Sequence, residues 1–335
     1  MYDIIGDIHG HASRLEQLLG RMSYERDAHS WRHPDRQAIF VGDFIDRGPE
    51  QIETYRLVRS MIDRGAALAV MGNHEFNAVA FKTPDPEQPG ERLRAHTDKN
   101  RDQHSAFLDQ VGEDSALHGE MIAWFKTLPL YLDLEGLRVV HACWHDDSLE
   151  TLRPLLDGRQ CLINEAWVDA ARKGTDAYNA AETLLKGLEI ALPSGESFLD
   201  KGGHERHHIR RRWWEQGGGT YRSIAMMDDA TRATLSDAPM PDDVLPGYTD
   251  DKPVFVGHYW LRGTPEPMSD RVACLDYTVT EPAPEGKLTA YRWAGEVRIR
   301  SGGGYLDLVV ERYRNRCSNL ETNGLLNQRL MFQWV

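Results

Sequence analysis

The sequence predicts an α/β protein with parallel strands, for two reasons. Over residues 2–80, short apolar runs typical of buried strands alternate with longer stretches typical of amphipathic helices. This pattern predicts βαβ units with right-handed crossovers. In addition, five apolar runs along the chain are each followed by a polar residue of a metal-binding type. Because ligand sites in open α/β sheets lie beyond the carboxyl ends of the strands, these residues predict one shared site.

The predicted elements begin with regular alternation. They are strand 2–6, helix 11–20, strand 37–42, helix 50–64, strand 66–71 and a helix from about residue 75. Residues 83–104 are polar and contain three prolines, which predicts a loop. A helix around 115–127 and a hairpin formed by 130–134 and 137–141 follow.

Residues 145–252 interrupt this alternation, and we interpret them as a partly helical insertion, or cap, within the same domain. Within them, 160–172 and 177–190 are predicted to be helical. Strands are predicted to resume at 253–257, 271–277, 287–293 and 305–311. The predicted core therefore comprises residues 1–144 and 253–311. The tail 312–335 lacks clear periodicity and receives no role.

Composition narrows the range of partners. The formal net charge of the 335-residue chain is −13. This charge disfavours nonspecific nucleic-acid binding, which relies on lysine and arginine to neutralise phosphates. An anionic substrate remains compatible if metal ions supply positive charge locally. No apolar run approaches the roughly 18 residues of a membrane-spanning helix, so neither a membrane nor a stable nucleic-acid partner is expected.

The cysteines and the N-terminus indicate a cytoplasmic protein. The four cysteines show no CxxC spacing, and they suggest neither a disulfide framework nor a structural zinc site. The N-terminus lacks a secretory signal pattern. Because Asp7 belongs to the site described next, we expect the mature protein to begin at or near Met1.

The stretch 39–49 is central to the functional prediction. Its apolar start is typical of a buried strand, and Asp43 follows where that strand would end. Asp46 and Arg47 occupy the next turn, and Pro49 suits the first position of a new helix. Two carboxylates and an arginine in this order are suited to holding a metal and an anion together.

The other polar residues at strand ends supply the remaining ligands of a predicted two-metal site. Such a site places charged ligands around two cations roughly 3.5–4 Å apart, and Asp43 is predicted to bridge them. The first cation is assigned Asp7 and His9, and the second is assigned Asn73, His141 and His258. Mixed aspartate, asparagine and histidine ligands do not select one metal. Manganese is our first choice for both divalent ions, with iron, zinc, magnesium or nickel as alternatives.

The predicted chemistry is hydrolysis at phosphorus. A water held between two cations becomes a hydroxide near neutral pH and attacks the phosphoryl group. His74 directly follows a ligand and is predicted to protonate the leaving oxygen, while Asp46 fixes its tautomer and raises its pKa. Arg47 is predicted to bind phosphoryl oxygens through two parallel hydrogen bonds. Each motif alone could be a turn or a core residue, and their joint occurrence favours the two-metal site.

Five motifs resemble the calcineurin-like metallophosphoesterases, and within them the branch of serine/threonine phosphoprotein phosphatases and dinucleoside tetraphosphatases. They are Gly-Asp-Ile-His-Gly (6–10), Gly-Asp-Phe-Ile-Asp-Arg-Gly-Pro (42–49), Gly-Asn-His-Glu (72–75), Val-His-Ala (140–142) and Gly-His (257–258). The resemblance covers about 1–144 and 253–295. It implies a four-layered αββα sandwich of two mixed β-sheets flanked by helices. It also implies the ligand roles above, with Arg47 on phosphate and His74 paired with Asp46.

Three departures from the family pattern bear on the branch. Where the general family has Gly-His-x-His, this chain has Trp260 in place of the second histidine. This change removes one ligand of the first metal and matches the phosphatase branch. Phosphoprotein phosphatases usually carry arginine at the position of Met71 and His-Gly-Gly at 141–143, which here is His-Ala-Cys. These two departures weaken the phosphoprotein interpretation.

The basic segment 201–212 is predicted to bind substrate, because arginine and lysine bind polyanions. Within it we assign this role to Lys201, Arg206, Arg210 and Arg212, in addition to Arg47. A solvated basic surface is the alternative. Trp213 and Trp214 follow this segment and are predicted to be buried core rather than a base-stacking platform.

Three functions compete for this sequence. The leading one is a phosphohydrolase acting on a phosphomonoester or on a nucleotide polyphosphate such as a dinucleoside tetraphosphate. The alternative enzyme is a protein serine/threonine phosphatase, with a phosphoprotein as its substrate. A noncatalytic nucleotide-binding scaffold is the alternative of another class. A degenerate family member would be expected to lose ligands, and the ligand set here is intact.

Overall fold

The computed structural model describes residues 1–199, 205–240, 247–281 and 286–300. The strands in chain order are β1 (Tyr2–Ile5), β2 (Glu25–Arg26), β3 (Trp31–Arg32), β4 (Gln37–Phe40), β5 (Ala67–Ala69), β6 (Tyr131–Asp133), β7 (Arg138–Val140), β8 (Glu189–Ala191), β9 (Phe198–Leu199), β10 (Glu205–Arg206), β11 (His208–Arg210), β12 (Val254–Val256), β13 (Val272–Cys274), β14 (Asp276–Tyr277), β15 (Lys287–Leu288) and β16 (Ala290–Trp293). The helices are α1 (Ala12–Arg21), α2 (Gln51–Asp63), α3 (Asn73–Lys82), α4 (Asp98–Val111), α5 (Ala116–Phe125), α6 (Asp146–Leu152), α7 (Trp167–Ala171), α8 (Asp176–Lys186), α9 (Tyr221–Ile224) and α10 (Asp229–Ala233). Short 3₁₀ helices lie at Arg153–Leu155 and Asn164–Ala166.

The first four-stranded sheet is built from N-terminal strands and one late strand, in the order β16-β1-β4-β5. Strands β1, β4 and β5 are parallel, and β16 pairs antiparallel with β1. Helices α1 and α2 lie in the connections between successive parallel strands, because parallel neighbours require a long crossover. The predicted βαβ pattern over residues 2–80 is confirmed.

The second four-stranded sheet has the order β13-β12-β7-β6. Strand β12 pairs in parallel with both β7 and β13, and β6 pairs antiparallel with β7. The β6–β7 pair is the hairpin predicted at 130–134 and 137–141. Both sheets are therefore mixed, each with an antiparallel strand at one edge.

The two sheets pack face to face, and helices cover their outer faces. Ile4 of the first sheet and Phe255 of the second belong to one fully buried cluster between the sheets. Their chain neighbours Ile5 and Val256 belong instead to the cluster that includes the helical side chains, because side chains alternate between the two faces of a strand. This architecture is the four-layered αββα sandwich, and the predicted fold class is confirmed.

Three predicted local elements are wrong at their ends. The predicted loop 83–104 extends too far, because α4 begins at Asp98 with Thr97 as its N-cap, whose side chain accepts a hydrogen bond from the Asn100 N–H. The predicted helix 177–190 extends too far, because Gly187 ends α8 with a φ of 90° and β8 follows. The predicted helix 160–172 shortens to α7 and a preceding 3₁₀ turn.

The segment 145–252 supplies helices to the outer layer and also forms short strand pairs. Leu152, Trp167 and Leu184, from α6, α7 and α8, belong to the same buried cluster as β7 and β12. The antiparallel pairs β8–β11 and β9–β10 follow. Strands of two or three residues carry too little alternation to be predicted from sequence. Placing the boundary of an insertion at 145–252 remains a prediction.

The predicted burial of the two adjacent tryptophans is confirmed. Trp213 and Trp214 are 5% and 7% exposed. The indole N–H of Trp213 donates to the carbonyl of Ala142 (3.2 Å) and to the hydroxyl of Tyr259 (3.1 Å). The pair therefore anchors the segment to the loops that follow β7 and β12.

In the parts of the chain that the structure describes, no helix has the length and apolar character needed to cross a membrane. The predicted strand 305–311, the tail 312–335 and Lys201 lie outside the described residues.

Candidate metal centre

The predicted ligands all lie just beyond the C-terminal ends of parallel strands. Asp7 and His9 follow β1, Asp43 follows β4, Asn73 follows β5, His141 follows β7, and His258 follows β12. The ends of both sheets meet at this edge, because the contacts described below join residues from both. The predicted convergence of these side chains is therefore present in the structure.

A buried carboxylate joins the two central loops. Glu75, in the first turn of α3, accepts hydrogen bonds from the backbone N–H groups of Asp43 (2.9 Å), Phe44 (2.8 Å) and Ile45 (3.3 Å). It also accepts one from the N–H of Gly72 (3.0 Å). Burial and the charge of Asp43 raise the pKa of Glu75 to about 7. The four donors oppose this shift and favour the ionised form, because both oxygens act as acceptors.

Glycines allow these loops to approach one another and the ligands. A Cβ at Gly42, where φ is 100°, would lie 2.5 Å from the backbone nitrogen of Gly72. A Cβ at Gly72 would lie 2.2 Å from Asp43 Oδ1, and one at Gly257 would lie 2.0 Å from Asp7 Oδ1. A larger residue at Gly42 would therefore push the two loops apart, and one at Gly72 or Gly257 would displace a predicted ligand.

The backbone at the site is strained. His9, Asp43, Asp46, Arg47 and His258 all have positive φ angles, from 44° at His9 to 73° at His258. This conformation is uncommon for residues other than glycine and costs of order 1–3 kcal/mol at each position. Such strain persists only where the surroundings hold it, and it is typical of functional sites.

Asp43 lies at the centre of the site. Its Oδ2 is 3.3 Å from His141 Nε2, 3.7 Å from His9 Nε2 and 3.9 Å from His74 Nε2. Two groups of ligand atoms share it, and the atoms of each group lie within 4.8 Å of one another. One group is His9, Asp43 and His74, and the other is Asp43, His141 and His258. A carboxylate common to both groups fits the predicted bridging role.

Asn73 joins the second group through its amide oxygen. Its Oδ1 lies 3.1 Å from His141 Nε2 and 2.7 Å from His258 Nδ1. An amide oxygen, a carboxylate and two imidazoles form a ligand set that suits a first-row divalent metal. The structure therefore brings together every residue assigned to the second cation.

Backbone carbonyls orient two of the histidines. Nδ1 of His9 donates to the carbonyl of Ile45 (2.9 Å), and Nδ1 of His141 donates to the carbonyl of Val41 (2.7 Å). Each bond turns Nε2 toward Asp43. Histidines that bind metals are commonly oriented in this way, because the outer hydrogen bond fixes the ring and its tautomer.

Asp7 belongs to neither of the two ligand groups described above, and one of its oxygens is unpaired among the described residues. Its Oδ2 accepts the backbone N–H of His258 (3.0 Å). Among the described residues, its Oδ1 has no hydrogen-bond partner, and neither does Nε2 of His9 or of His258, although all three atoms are buried. Buried polar atoms are rarely left unpaired. Bound cations would satisfy these three unpaired atoms, all of which belong to predicted ligands, so these residues fit the predicted metals.

The crowding of carboxylates favours positive charge at this edge. Burial and the neighbouring carboxylate of Asp276 raise the pKa of Asp7 well above its ordinary value. Burial works against protonation of His141, but the adjacent Asp43 outweighs it and raises the pKa of His141 to about 10. Asp7, Asp43 and Asp276 are all buried, so a countercharge stabilises this part of the fold.

His74 lies at the edge of the centre and is paired with Asp46 as predicted. Its Nδ1 is 2.5 Å from Asp46 Oδ2, and its Nε2 faces Asp43. Burial lowers the pKa of His74, but the charge of Asp43 and the hydrogen bond to Asp46 outweigh burial and raise it. The protonated form is thereby favoured, as a general acid requires.

Asp46 also holds a histidine that the sequence analysis does not predict. Its Oδ1 lies 2.7 Å from Nδ1 of His104 in α4. His104 is buried and stacks on Phe107, with 4.7 Å between the ring centroids. Asp46 therefore links His74 to α4. The contact spans 58 positions of the sequence and falls where a loop is predicted, so no local signal indicates it.

Asp276 is a second functional candidate that the sequence analysis misses. It accepts hydrogen bonds from the backbone N–H groups of Trp260 (2.8 Å) and Thr278 (3.1 Å). It thereby holds the turn that follows His258. The sequence does contain a signal for Asp276. It directly follows the apolar run that ends at Leu275, and other predicted strands are followed by carboxylates in the same way.

Arg47 stacks on the tryptophan that replaces the second family histidine. Its guanidinium carbon lies 3.6 Å from the centroid of the Trp260 ring, which is a cation–π arrangement. Trp260 is 38% exposed, so the pair lies at the solvent edge of the site. Where the general family has a metal-binding histidine, this chain thus has an aromatic ring, and that ring orients Arg47.

The basic residues predicted to bind substrate fall in different places. Arg210 acts electrostatically on His258. Burial and the positive charge of Arg210 hold the pKa of His258 well below its ordinary value. Arg212 forms an ion pair with Glu215 (3.2 Å), and Arg206 lies in the exposed strand β10. The substrate-binding roles of these residues remain predictions.

Comparison with protein families places this fold and site in a known class. Residues 2–192 match the model of the calcineurin-like phosphoesterases. This match covers more than half of the chain and includes the predicted ligands up to His141. The chain therefore belongs to the calcineurin-like phosphoesterase family.

Known proteins similar to this chain include two tetraphosphatases. An asymmetrical bis(5'-nucleosyl)-tetraphosphatase of Halalkalibacterium halodurans is 46% identical over 155 residues, covering 44% of this chain and 59% of that protein. A symmetrical bis(5'-nucleosyl)-tetraphosphatase of Aromatoleum aromaticum is 32% identical over 215 residues, covering 59% of this chain and 70% of that protein. The chain spans a little more than half the length of the asymmetrical enzymes it matches. Among solved structures, a cold-active protein-tyrosine phosphatase of a psychrophilic Shewanella species aligns over 87% of this chain and 75% of that one, with a TM-score of 0.46 and 16% identity.

Replacing Asp43 by asparagine should weaken both cation sites, because its carboxylate belongs to both ligand groups. His9→Asn removes a ligand from one group only. After dialysis against Mn²⁺, elemental analysis should find a larger loss of metal in Asp43→Asn than in His9→Asn. Equal and mild losses in the two folded variants would contradict the bridging role.

Replacing Glu75 by glutamine should lower the free energy of unfolding by roughly 3–5 kcal/mol, because four N–H donors lose a charged acceptor in a buried site. Denaturant unfolding measures this loss. Glu113→Gln is the control, since it removes an exposed ion pair with Arg101 that contributes about 0–1 kcal/mol. A similar small loss for both variants would show that Glu75 does not hold the loops.

Replacing Trp260 by leucine should raise KM for an aryl phosphate about two- to fivefold while leaving kcat nearly unchanged, because Arg47 loses a cation–π contact of about 0.5–1 kcal/mol. Trp260→Phe keeps a ring and should restore most of the affinity. Steady-state kinetics separates the two parameters. A fall in kcat that phenylalanine does not restore would argue that Trp260 supports the metal centre instead.

Proposed function

We propose that this protein is a metal-dependent phosphohydrolase whose substrate is a nucleotide polyphosphate of the dinucleoside tetraphosphate type. The observation that carries the proposal is Asp43, a carboxylate shared by two convergent ligand groups next to the His74–Asp46 pair. Membership of the calcineurin-like phosphoesterases and the similarity to tetraphosphatases support it.

Two divalent cations, manganese in the first place, would be held by these side chains. Asp7, His9 and Asp43 would hold one, and Asp43, Asn73, His141 and His258 would hold the other. When bound, such cations supply positive charge for phosphoryl oxygens and lower the pKa of a bound water toward neutrality.

The chain's own residues would orient the substrate and protonate the leaving oxygen. Asp46 keeps the proton on Nδ1 of His74, so the proton available to a leaving oxygen is the one on Nε2. Arg47, at the exposed edge of the site, would bind phosphoryl oxygens, and stacking on Trp260 restricts its rotamers. These roles require no change in the fold.

Substrate selection would come from the residues around the centre. We assign it to the segment 145–252, treated as an insertion between core residues 1–144 and 253–311. In this segment Arg210 places positive charge near His258, where the chain's net charge of −13 would otherwise repel a polyanion.

A metal analysis and a substrate panel test the proposal. The purified protein should bind two cations, lose activity with chelator and regain it with Mn²⁺. Among an aryl phosphate, a phosphopeptide and diadenosine tetraphosphate, the last should have the highest kcat/KM. A preference for the phosphopeptide would favour a protein serine/threonine phosphatase. Metal binding without turnover of any of the three would refute the proposed activity.

Replacing His74 by asparagine should slow hydrolysis of an alkyl phosphate by about 10²–10⁴-fold, because its poor leaving group needs a proton. An activated aryl phosphate should lose much less, because its leaving oxygen needs little protonation. The ratio of the two losses is the measurement. Equal losses would indicate that His74 orients the metal ligands and does not donate a proton.

A further inference from the structure

Arg94 lies beside His74 in a cavity that no motif of the sequence indicated. The cavity is lined by Asp46, His74, Asn77, Arg94, Gln103 and His104, among others. Asn77 lies three residues after His74 on α3, so the two side chains share one face of the helix. The guanidinium of Arg94 is therefore next to the edge of the centre where His74 lies.

Neutral groups hold this guanidinium in place. One Nη of Arg94 donates to Asn77 Oδ1 (3.1 Å), and the other donates to Gln103 Oε1 (3.0 Å). An arginine has five N–H donors, so acceptors on the described residues use two of them. Among the described carboxylates, none forms an ion pair with Arg94. Asp46 and Glu182 act on it only through longer-range charge.

Two glutamates near the cavity are already paired with cations other than Arg94. Glu182 is hydrogen-bonded to Lys186, and Glu189 lies 3.6 Å from Arg210. Burial lowers the pKa of Lys186, and the charges of Arg94 and Arg210 add to this effect. Asp46 also lines the cavity, but its two oxygens are paired with His74 and His104. Apart from Asp46, these three cations share two carboxylates. A partly buried arginine that lacks a carboxylate partner loses some of its hydration, and an anionic ligand would offset this cost.

We propose that Arg94 binds the leaving group of the substrate, and that this leaving group is itself a phosphate. The inference rests on the proposed phosphohydrolase function. Arg94 shares its cavity with His74, which faces the leaving oxygen, so an anion there belongs to the leaving part of the substrate. In the reaction, the bond between the phosphorus under attack and the bridging oxygen breaks. A water oxygen forms the new bond, and the leaving phosphate keeps the electron pair.

The proposal distinguishes phosphoanhydrides from phosphate esters of alcohols. An alcohol or phenol leaving group offers Arg94 no charged oxygens, whereas a nucleotide leaving group offers several. Arg94 would therefore contribute to catalysis with a nucleotide polyphosphate and contribute little with an aryl phosphate. A purely structural Arg94 would join α3 to α4 through Asn77 and Gln103 and would affect both substrates alike.

The experiment measures kcat/KM of Arg94→Gln on diadenosine tetraphosphate and on p-nitrophenyl phosphate, with the full-length, Mn²⁺-loaded protein. The tetraphosphate value should fall about ten- to hundredfold, as expected for a lost charge-assisted contact. The aryl phosphate value should change less than threefold. Arg92→Gln is the matched control, because it removes an arginine from the same loop whose charge acts on Asp114, and it should leave both values unchanged.

A second measurement covers the case in which Arg94→Gln does not fold. ADP should inhibit the aryl phosphatase activity of the unmodified protein, and the Arg94→Lys variant, which keeps the charge but not the planar fork, should be inhibited more weakly. Equal losses on both substrates, or equal inhibition of the lysine variant, would overturn the role of Arg94 while leaving the proposed function standing. If the unmodified protein hydrolyses aryl phosphate but not tetraphosphate, both the role of Arg94 and the proposed tetraphosphate substrate are overturned, while the phosphohydrolase activity stands. Absence of turnover of either substrate by the unmodified protein would instead refute the proposed function.

Discussion

The geometry of the site depends on the hydrogen bonds that backbone N–H groups donate to Glu75. The loop after β4 carries Asp43, and the loop after β5 carries Asn73 and His74, so a shift of either loop would separate the two ligand groups. Glu75 ties them together by accepting N–H groups from Gly72 and from Asp43 to Ile45. It binds backbone only, so it fixes the loops without occupying the side-chain positions that would bind a metal.

This anchoring is needed because two destabilising features, backbone strain and buried carboxylates, occur at the same edge of the sheets. The ligand-bearing turns hold non-glycine residues at positive φ, and Asp7, Asp43 and Asp276 bring three carboxylates into a buried region. Neither feature would persist in an isolated loop. The two mixed sheets supply the support, because the ends of five parallel strands are fixed by the pairing of their neighbours. Cations would further stabilise the edge by neutralising the carboxylates.

Much of the fold and of the ligand set could be predicted, because both depend on patterns local in sequence. Apolar runs followed by Asp43, Asn73 or His141 predict a strand and a ligand together. The remaining parts depend on contacts between distant positions. His104 reaches Asp46 from a helix whose start is marked only by the Thr97 cap. Asp276 accepts hydrogen bonds from the backbone of the turn after His258 and is not one of the predicted ligands. The strands β8 to β11 are too short to show alternation.

Three residues that the sequence did not indicate share a cavity with His74. They are His104 and Gln103 of α4 and Arg94 of the loop before it. The charges of Lys186 and of Arg210, which was predicted to bind substrate, come from the segment after the second sheet's hairpin. In the proposed function, the strand ends would provide the groups that act on the phosphorus under attack. The loops and helices between them would provide positive charge beyond that phosphorus. Such charge would favour a substrate that continues as an anion past the bond being broken, which an alcohol ester does not.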